Sequence, residues 1–371
     1  MNVLSCFDGI SCGQLALSRS GLQVDQYFSS EIHGKAIAVT QDNFPKTIQM
    51  GDIRTLNLEN LPNIDLMLAG FPCQSFSGGG KQKGFDDDRG QLFFNLIDIF
   101  LAVQPKYFLF ENVKMKRHYQ DAISAEIGVE PILINSRLVS AQNRERLYWT
   151  NIPFIGLPTD KNVSWNDVRD DGYFASAMRG RRVDPEGCRS DYDMSIPIVQ
   201  YIESRADTKT NCLSTISKDN VASVERYIRN PAKDIEWRYF SIREMELLQT
   251  LPVGYTRSVS DAQARSLIGN GWTIDIIVHI LSGIQIKNTI KMKSETELRE
   301  AIKSLEALIE KLGYVKSNTH EYELLLAYTN RKNSLLWVLS NEQPERFIAP
   351  SKTALTRFID LYMIDAATCE E

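Results

Sequence analysis

The chain has 371 residues, of which 43% are hydrophobic and 24% charged, with a formal net charge of −5. That leaves room for one large apolar core and a smaller second unit. No apolar run is long enough to cross a bilayer as a helix, and the overall charge says nothing in favour of nucleic-acid binding. The opening MNVLSCFDGI has no basic stretch leading into an apolar one, so no secretory signal is expected and the chain is expected to act in the cytoplasm. Six scattered cysteines without a C-x-x-C pair, and four histidines that stand apart from them, argue against a zinc site or a disulfide framework.

In chain order, short apolar runs predict strands over 3–7, 24–30, 48–51, 64–70, 107–111, 131–138 and 147–151. Amphipathic helices are predicted near 14–20, 35–43 and 92–103. Strands separated by helices at this spacing predict a parallel α/β sheet. From 159 to 236 the apolar periodicity is poor, and a separate module with few long elements is expected. Helices are predicted again over 241–250, 261–267 and 274–286. A polar connector is expected after Lys287, followed by an α+β appendage over 288–371 with helices over 295–312 and 352–364 and strands over 324–328 and 335–339. The appendage's first helix carries an apolar stripe at Leu298, Ile302, Leu305, Leu308, Ile309 and Leu312. Two basic clusters stand out, Lys114, Lys116, Arg117 and His118, then Arg179, Arg181, Arg182 and Arg189. A solvated surface accounts for either cluster alone.

Several strand ends carry chemistry. The first strand runs into FDGISCG, a glycine-containing turn that lets a ligand approach the backbone beside a helix N-terminus. Glu31 ends the second strand, where a carboxylate can take ribose hydroxyls, and Asp52 closes the third, where an acid can meet an adenine amino group. After the fourth comes GFPCQSFSGGGKQKGF, with Pro72 stiffening the approach to Cys73, and after the fifth comes Glu111, beside Asn112. A thiol and a carboxylate at the ends of α/β strands face one crevice.

These residues carry a resemblance to the DNA cytosine-5 methyltransferase family. The likeness rests on Pro72-Cys73-Gln74, Glu111-Asn112-Val113, and Gln142, Arg144 and Arg146 of a Gln-x-Arg-x-Arg motif. It continues with Arg243, Glu244, Leu248, Gln249 and Pro252, and with Gly269-Asn270-Gly271, all in family order. Within the family, FDGIS, DDDRGQLFF, YFLFENV and GNGWTIDII are most similar to the catalytic domain of the eukaryotic de novo enzymes. A free-standing bacterial or viral enzyme is nevertheless expected, since the chromatin-reading modules are missing. Phe71 stands where the family often has proline, and Trp272 where valine is common; neither is expected to touch a catalytic group.

The resemblance implies a doubly wound, Rossmann-like α/β domain over 1–158 and 237–287, with a target-recognition module inserted at 159–236. It implies S-adenosylmethionine as methyl donor, held by Phe7, Asp8, Gly9, Ile10, Ser11, Gly13, Glu31, Ile32, Asp52, Ile53, Pro72, Asn270, Gly271 and Trp272. The substrate would be a cytosine flipped out of double-stranded DNA. Cys73 would be the covalent nucleophile and Glu111 would hold a proton at ring nitrogen 3. Arg146 would bond the exocyclic oxygen, while Arg144 would support the site or hold phosphate. Ser75 and Gln142, with Arg181 and Arg182 as phosphate contacts, are the expected DNA-binding residues. A tRNA cytosine-5 methyltransferase and an inactive DNA-binding relative are the rival readings. Against the first, the tRNA branch's Cys-Phe-Thr stretch is missing; against the second, Cys73, Glu111, Arg144 and Arg146 are all present.

Overall fold

The computed structural model describes residues 1–72, 88–205, 207–226 and 229–290, together with 299–300, 303–304, 306–307 and 309–310. Cys73 and Ser75 lie outside the described residues, as do the two strands and last helix expected in the C-terminal appendage. The described pieces between 299 and 310 are helical.

The first half alternates strand and helix: β1 (Asn2–Cys6), α1 (Cys12–Arg19), β2 (Gln26–Ser30), α2 (Gly34–Asn43), β3 (Ile48–Gln49), β4 (Leu66–Gly70), α3 (Asp88–Val103), β5 (Tyr107–Val113), α4 (Arg117–Ile127), β6 (Ile132–Asn135) and β7 (Glu145–Thr150). The strands form one sheet in the order β3-β2-β1-β4-β5-β7-β6. The central strands are apolar on both faces because both faces are covered. Val3, Leu66, Leu68 and Leu109 point to the side packed by α1 and α2, whereas Leu4, Met67, Ala69, Phe108 and Phe110 point to the side packed by α3 and α4. The fold is therefore doubly wound, and the strand order reverses between β1 and β4. In such sheets the carboxyl ends of the two strands flanking the reversal frame the ligand crevice.

Three local features differ from the sequence expectation. β7 runs antiparallel to both β5 and β6, because the short stretch from β6 to β7 holds only a 3-10 turn at Ser136–Leu138 and no crossover helix. That turn also replaces the expected last residues of β6. Helix α4 was not anticipated, since its polar sequence RHYQDAISAEI buries only Ile123, Ser124 and Ile127.

A five-stranded antiparallel sheet follows, in the order β11-β9-β8-β10-β12, from β8 (Phe174–Arg181), β9 (Val199–Ser204), β10 (Val221–Ser223), β11 (Arg229–Pro231) and β12 (Trp237–Tyr239). Its own apolar cluster is small, with Met178, Ile202 and Val221 at the centre. Trp165, Ala175, Leu213 and Ala222 belong instead to the main core. The ammonium of Lys209 ties the second unit down further, donating to the carbonyls of Arg137 (2.7 Å), Ser140 (3.1 Å) and Val163 (2.6 Å). β12 extends past residue 236 because Trp237–Tyr239 completes the sheet against β10.

The chain then returns to the first sheet through α5 (Ile242–Leu248), α6 (Asp261–Asn270) and α7 (Ile274–Ile290), which pack on the α1 and α2 side. α7 continues four residues into the expected connector. Polarity suggested a break there, but Lys287, Asn288, Thr289 and Ile290 include neither glycine nor proline.

Candidate active site

The turn after β1 is tightly constrained. Phe7, Gly9 and Ser11 all have positive φ (56°, 60° and 55°), so the backbone winds left-handed at alternate residues. Asp8 holds this turn from inside. Its carboxylate is buried and accepts from the hydroxyls of Ser11, Tyr27 (2.8 Å) and Ser29 (2.9 Å). Burial raises the Asp8 pKa above the usual carboxylate range, although the surrounding hydroxyls oppose that rise. A folded-state pKa above the unfolded one means that Asp8 favours the fold at low pH and that this contribution is lost as pH rises through the folded value. The urea midpoint of the wild type minus that of Asp8→Asn is therefore expected to fall as pH rises above the ordinary carboxylate range. A difference that stays flat or grows would contradict the assignment.

At the crevice, Glu31 accepts from the backbone N–H of Gly9 at Oε2 (2.8 Å) and from Ile32 and His33 at Oε1 (both 2.7 Å). Oε2 thus keeps capacity for a further donor. Ile32 is 69% exposed. Ile53 is buried, and Asp52 is engaged by Arg54, whose N–H and guanidinium both donate to it and hold its pKa below the usual range. Ile10 is buried, with its carbonyl accepting from the Tyr255 hydroxyl (2.7 Å).

Trp272 closes the crevice floor. A Cβ on Gly70 would lie 2.9 Å from the indole nitrogen, and one on Gly13 would lie 2.5 Å from Leu68 and 3.6 Å from the Trp272 ring. At Gly70 only glycine lets the ring lie this close over the end of β4, whereas at Gly13 the room is needed by Leu68. The indole N–H donates to Glu111 Oε2 (3.0 Å), while Arg146 Nε pairs with Glu111 Oε1 (2.9 Å). Arg146 stands opposite Val113, so it reaches Glu111 diagonally across adjacent strands. Trp272 thus touches a candidate catalytic group after all, a contact that a strand-end pattern cannot reveal. Phe71 also acts through its backbone, since its carbonyl accepts from Asn112 Nδ2 (3.2 Å). Asn112 thereby fixes the chain just before Pro72, and Pro72 is half-buried.

The remaining motif residues form the frame behind the site. Gln142, expected to contact DNA, is fully buried and donates to the Leu248 carbonyl (2.5 Å) and Gln249 Oε1 (2.8 Å). Gln249 also accepts from Thr273 (2.8 Å) and donates to the carbonyls of Ile268 and Gly271 (both 3.0 Å). Arg144 is 3% exposed and donates to the carbonyls of Leu213 (3.0 Å) and Gly271 (2.8 Å). Its guanidinium is thus enclosed among the carbonyls of the frame. Asn270 is exposed and Gly271 half-buried at the end of α6.

Arg181, expected on phosphate, forms a bidentate pair with Glu203 (2.7 Å to each oxygen) on the neighbouring strand, so its charge is already matched. Arg182 is half-buried with its Nε unpartnered. A cavity of about 260 Å³ on this sheet is lined by Arg181, Arg189, Tyr201 and Arg229.

Sequence reasoning missed Cys212. It sits beside both motif arginines, with Sγ 3.3 Å from Arg144 and 3.7 Å from Arg146. Its poorly patterned segment gave no sign that it returns to the first sheet. Among the described residues, no group of three or more His, Cys, Asp and Glu side chains could hold a metal ion.

A doubly wound sheet with a glycine turn, acids at successive strand ends and an antiparallel β7 gives a Rossmann-like fold, shared with solved methyltransferase structures. Residues 1–171 match the model of C-5 cytosine-specific DNA methylases. It is 35% identical to the orphan methyltransferase M.Rho11sI of Bacillus phage rho11s over 193 residues, 46% of this chain and 37% of that protein. With the type II methyltransferase M.NlaX of Neisseria lactamica it shares 28% identity over 301 residues, covering 74% of this chain and 93% of that one. The matched stretches span less than half the length of the first relatives. A methyltransferase structure from Entamoeba histolytica superposes with a TM-score of 0.57 at 16% identity, covering 76% of this chain and 97% of that one, a likeness of fold.

Proposed function

We propose that the chain is a DNA cytosine-5 methyltransferase, acting on double-stranded DNA in the cytoplasm of a bacterial or virus-infected cell. The carrying observation is Glu111, held on one oxygen by Arg146 and on the other by Trp272, at the crevice end of β5 next to the strand that leads into Pro72-Cys73.

The crevice suits S-adenosylmethionine. Gly9 has no atom within 4 Å of where a Cβ would stand, Glu31 keeps an acceptor site for a ribose hydroxyl, and Ile32 offers an apolar surface for adenine. When bound, the cofactor would supply an electrophilic methyl group. Phe7, Gly9, Ile10, Ser11, Gly13, Asp52, Ile53, Pro72, Asn270 and Gly271 are proposed to complete its site, with Asp8 acting through the turn it holds.

Carbon 5 of cytosine is a weak nucleophile. Addition of the Cys73 thiolate to carbon 6 would push electron density toward carbon 5, splitting one hard step into easier ones. Glu111 would hold a proton at ring nitrogen 3, and Arg146 would donate to the exocyclic oxygen as charge develops. After methyl transfer the proton on carbon 5 leaves and Cys73 is eliminated. A base must leave the duplex to reach such a crevice. The proposed organisation keeps a catalytic unit of 1–158 and 237–287 around a recognition module of 159–236, with 288–371 as an appendage.

Cys73→Ala is expected to abolish methyl transfer while leaving cofactor binding within a few-fold of wild type. The wild-type chain should form a covalent adduct with duplex DNA containing 5-fluorocytosine, where fluorine replaces the carbon 5 proton that must leave before Cys73 is eliminated. Turnover by the alanine variant, or faster labelling of tRNA than of duplex DNA, would overturn the reading.

A further inference from the structure

The described cysteines fall into distinct environments. Cys6 and Cys12 are buried and their thiols are pushed up, Cys12 to about 12, so neither ionises readily. Cys188 is exposed. Cys212 lies in the segment by which the second unit rejoins the first, where the Thr210 N–H donates to the Ala141 carbonyl (2.7 Å) and the Asn143 N–H to the Thr210 carbonyl (3.0 Å).

Two guanidiniums converge on Cys212 Sγ. Arg144 Nη1 donates from 3.3 Å and Arg146 Nη2 from 3.7 Å. Arg146 Nε lies on Glu111 and Nη1 donates to the Glu145 carbonyl (2.8 Å), so each terminal nitrogen keeps a second N–H for the base. Nη2 is the edge of Arg146 that Cys212 meets. The groups facing this cluster are the two arginines, Glu111 of β5 across Arg146, and Tyr148 of β7. As a neutral thiol, Sγ donates to the Leu213 carbonyl (3.3 Å) and accepts weakly from the arginines. As a thiolate it accepts from both with charge assistance. Burial opposes ionisation, but the two guanidiniums outweigh it and hold the thiol below its ordinary range.

We propose that Cys212 is a positioning residue of the site, whose Sγ holds the Arg146 guanidinium between Glu111 and the incoming base. This rests on the cytosine-5 methyltransferase reading. No catalytic bond forms at Cys212, and it acts only through Arg146. With Sγ removed, Nη2 loses its acceptor and the arginine is anchored through Glu111 and the Glu145 carbonyl alone.

The test has two arms, both on the full chain. In the first, iodoacetamide alkylation is followed against pH and resolved by peptide, each cysteine being scaled to its own plateau. Cys212 should show a midpoint below that of Cys188 in the same sample, and the Arg146→Met variant should move it upward. A Cys212 midpoint equal to or above that of Cys188 overturns the proposal, whether or not the chain methylates DNA. In the second arm, kcat and KM are measured on duplex DNA. Cys212→Ala should lower kcat by about 10- to 100-fold, with KM for S-adenosylmethionine little changed. Cys212→Asp, a permanent anion, should recover most of that loss, and the neutral Cys212→Ser should not. Full kcat in the alanine variant, or an aspartate variant that melts like wild type yet is as impaired as alanine, overturns it. A wild-type chain that methylates no DNA while its Cys212 midpoint is low sinks the enzyme reading and the positioning role together, leaving only the ion pair.

Discussion

An Arg146→Met variant is expected to lose about 10²- to 10³-fold in kcat, the usual cost of removing one preorganised donor from a site where charge develops. The Arg146 side chain is only 13% exposed and that of Glu111 only 10%, so their pairing operates with little water to screen it. Methionine fills much of the same volume without supplying a donor. Its removal of the guanidinium leaves a carboxylate in a nearly closed site with the Trp272 indole as its remaining partner. Stability should fall by about 3 kcal/mol for that reason. The two effects can be separated with Glu111→Gln on the same background. The double variant should regain much of the stability, since no uncompensated charge remains, while gaining no activity. Single-turnover methylation of a duplex, with urea denaturation of the same samples, gives both quantities. A single variant within tenfold of wild-type kcat would remove Arg146 from the chemistry.

How far the sequence led depended on where the relevant partner lies along the chain. The central strands were readable because NVLSC, LMLAG and YFLFENV are apolar on both faces, as a sheet covered on both sides requires. The strand-end acids followed from those strands. Side-chain partners across the sheet did not. Arg181 reads as a free cation until Glu203, on the adjacent strand, is seen to pair with it. Gln142 belongs to a motif that suggests contact with DNA, yet its amide is consumed by α5 and Gln249, more than a hundred residues away. Cys212 illustrates the same limit: nothing in a weakly periodic stretch indicates that it returns to two arginines of β7 and its approach. β7 itself was expected to be parallel, because periodicity reports which faces a strand buries and not its direction.

The second large effect is expected at Trp272. Trp272→Ala should lower stability by about 3–5 kcal/mol, the range for emptying a large aromatic site, and should weaken S-adenosylmethionine binding. The ring lies over Gly70, whose Cβ position is 2.9 Å from the indole nitrogen, and beside Gly13, so its removal opens a void at the meeting of β4 and α1. Packing and hydrogen bonding can be told apart with Trp272→Phe, which keeps an aromatic ring over both glycines but loses the N–H that Glu111 Oε2 accepts. The phenylalanine variant should retain most of the stability and cofactor affinity, and its loss should fall on kcat, because Glu111 then has Arg146 alone to hold it. Gly70→Ala tests the same contact from the other side. Its added methyl cannot coexist with the indole in place, so it should reproduce the weakened cofactor binding of Trp272→Ala with Trp272 still present. The checks are urea midpoints, isothermal titration of S-adenosylmethionine and initial rates on one duplex. If Trp272→Phe matches wild type in kcat, the indole N–H does not serve Glu111 during turnover. If Gly70→Ala binds the cofactor as tightly as wild type, the ring does not form the crevice floor.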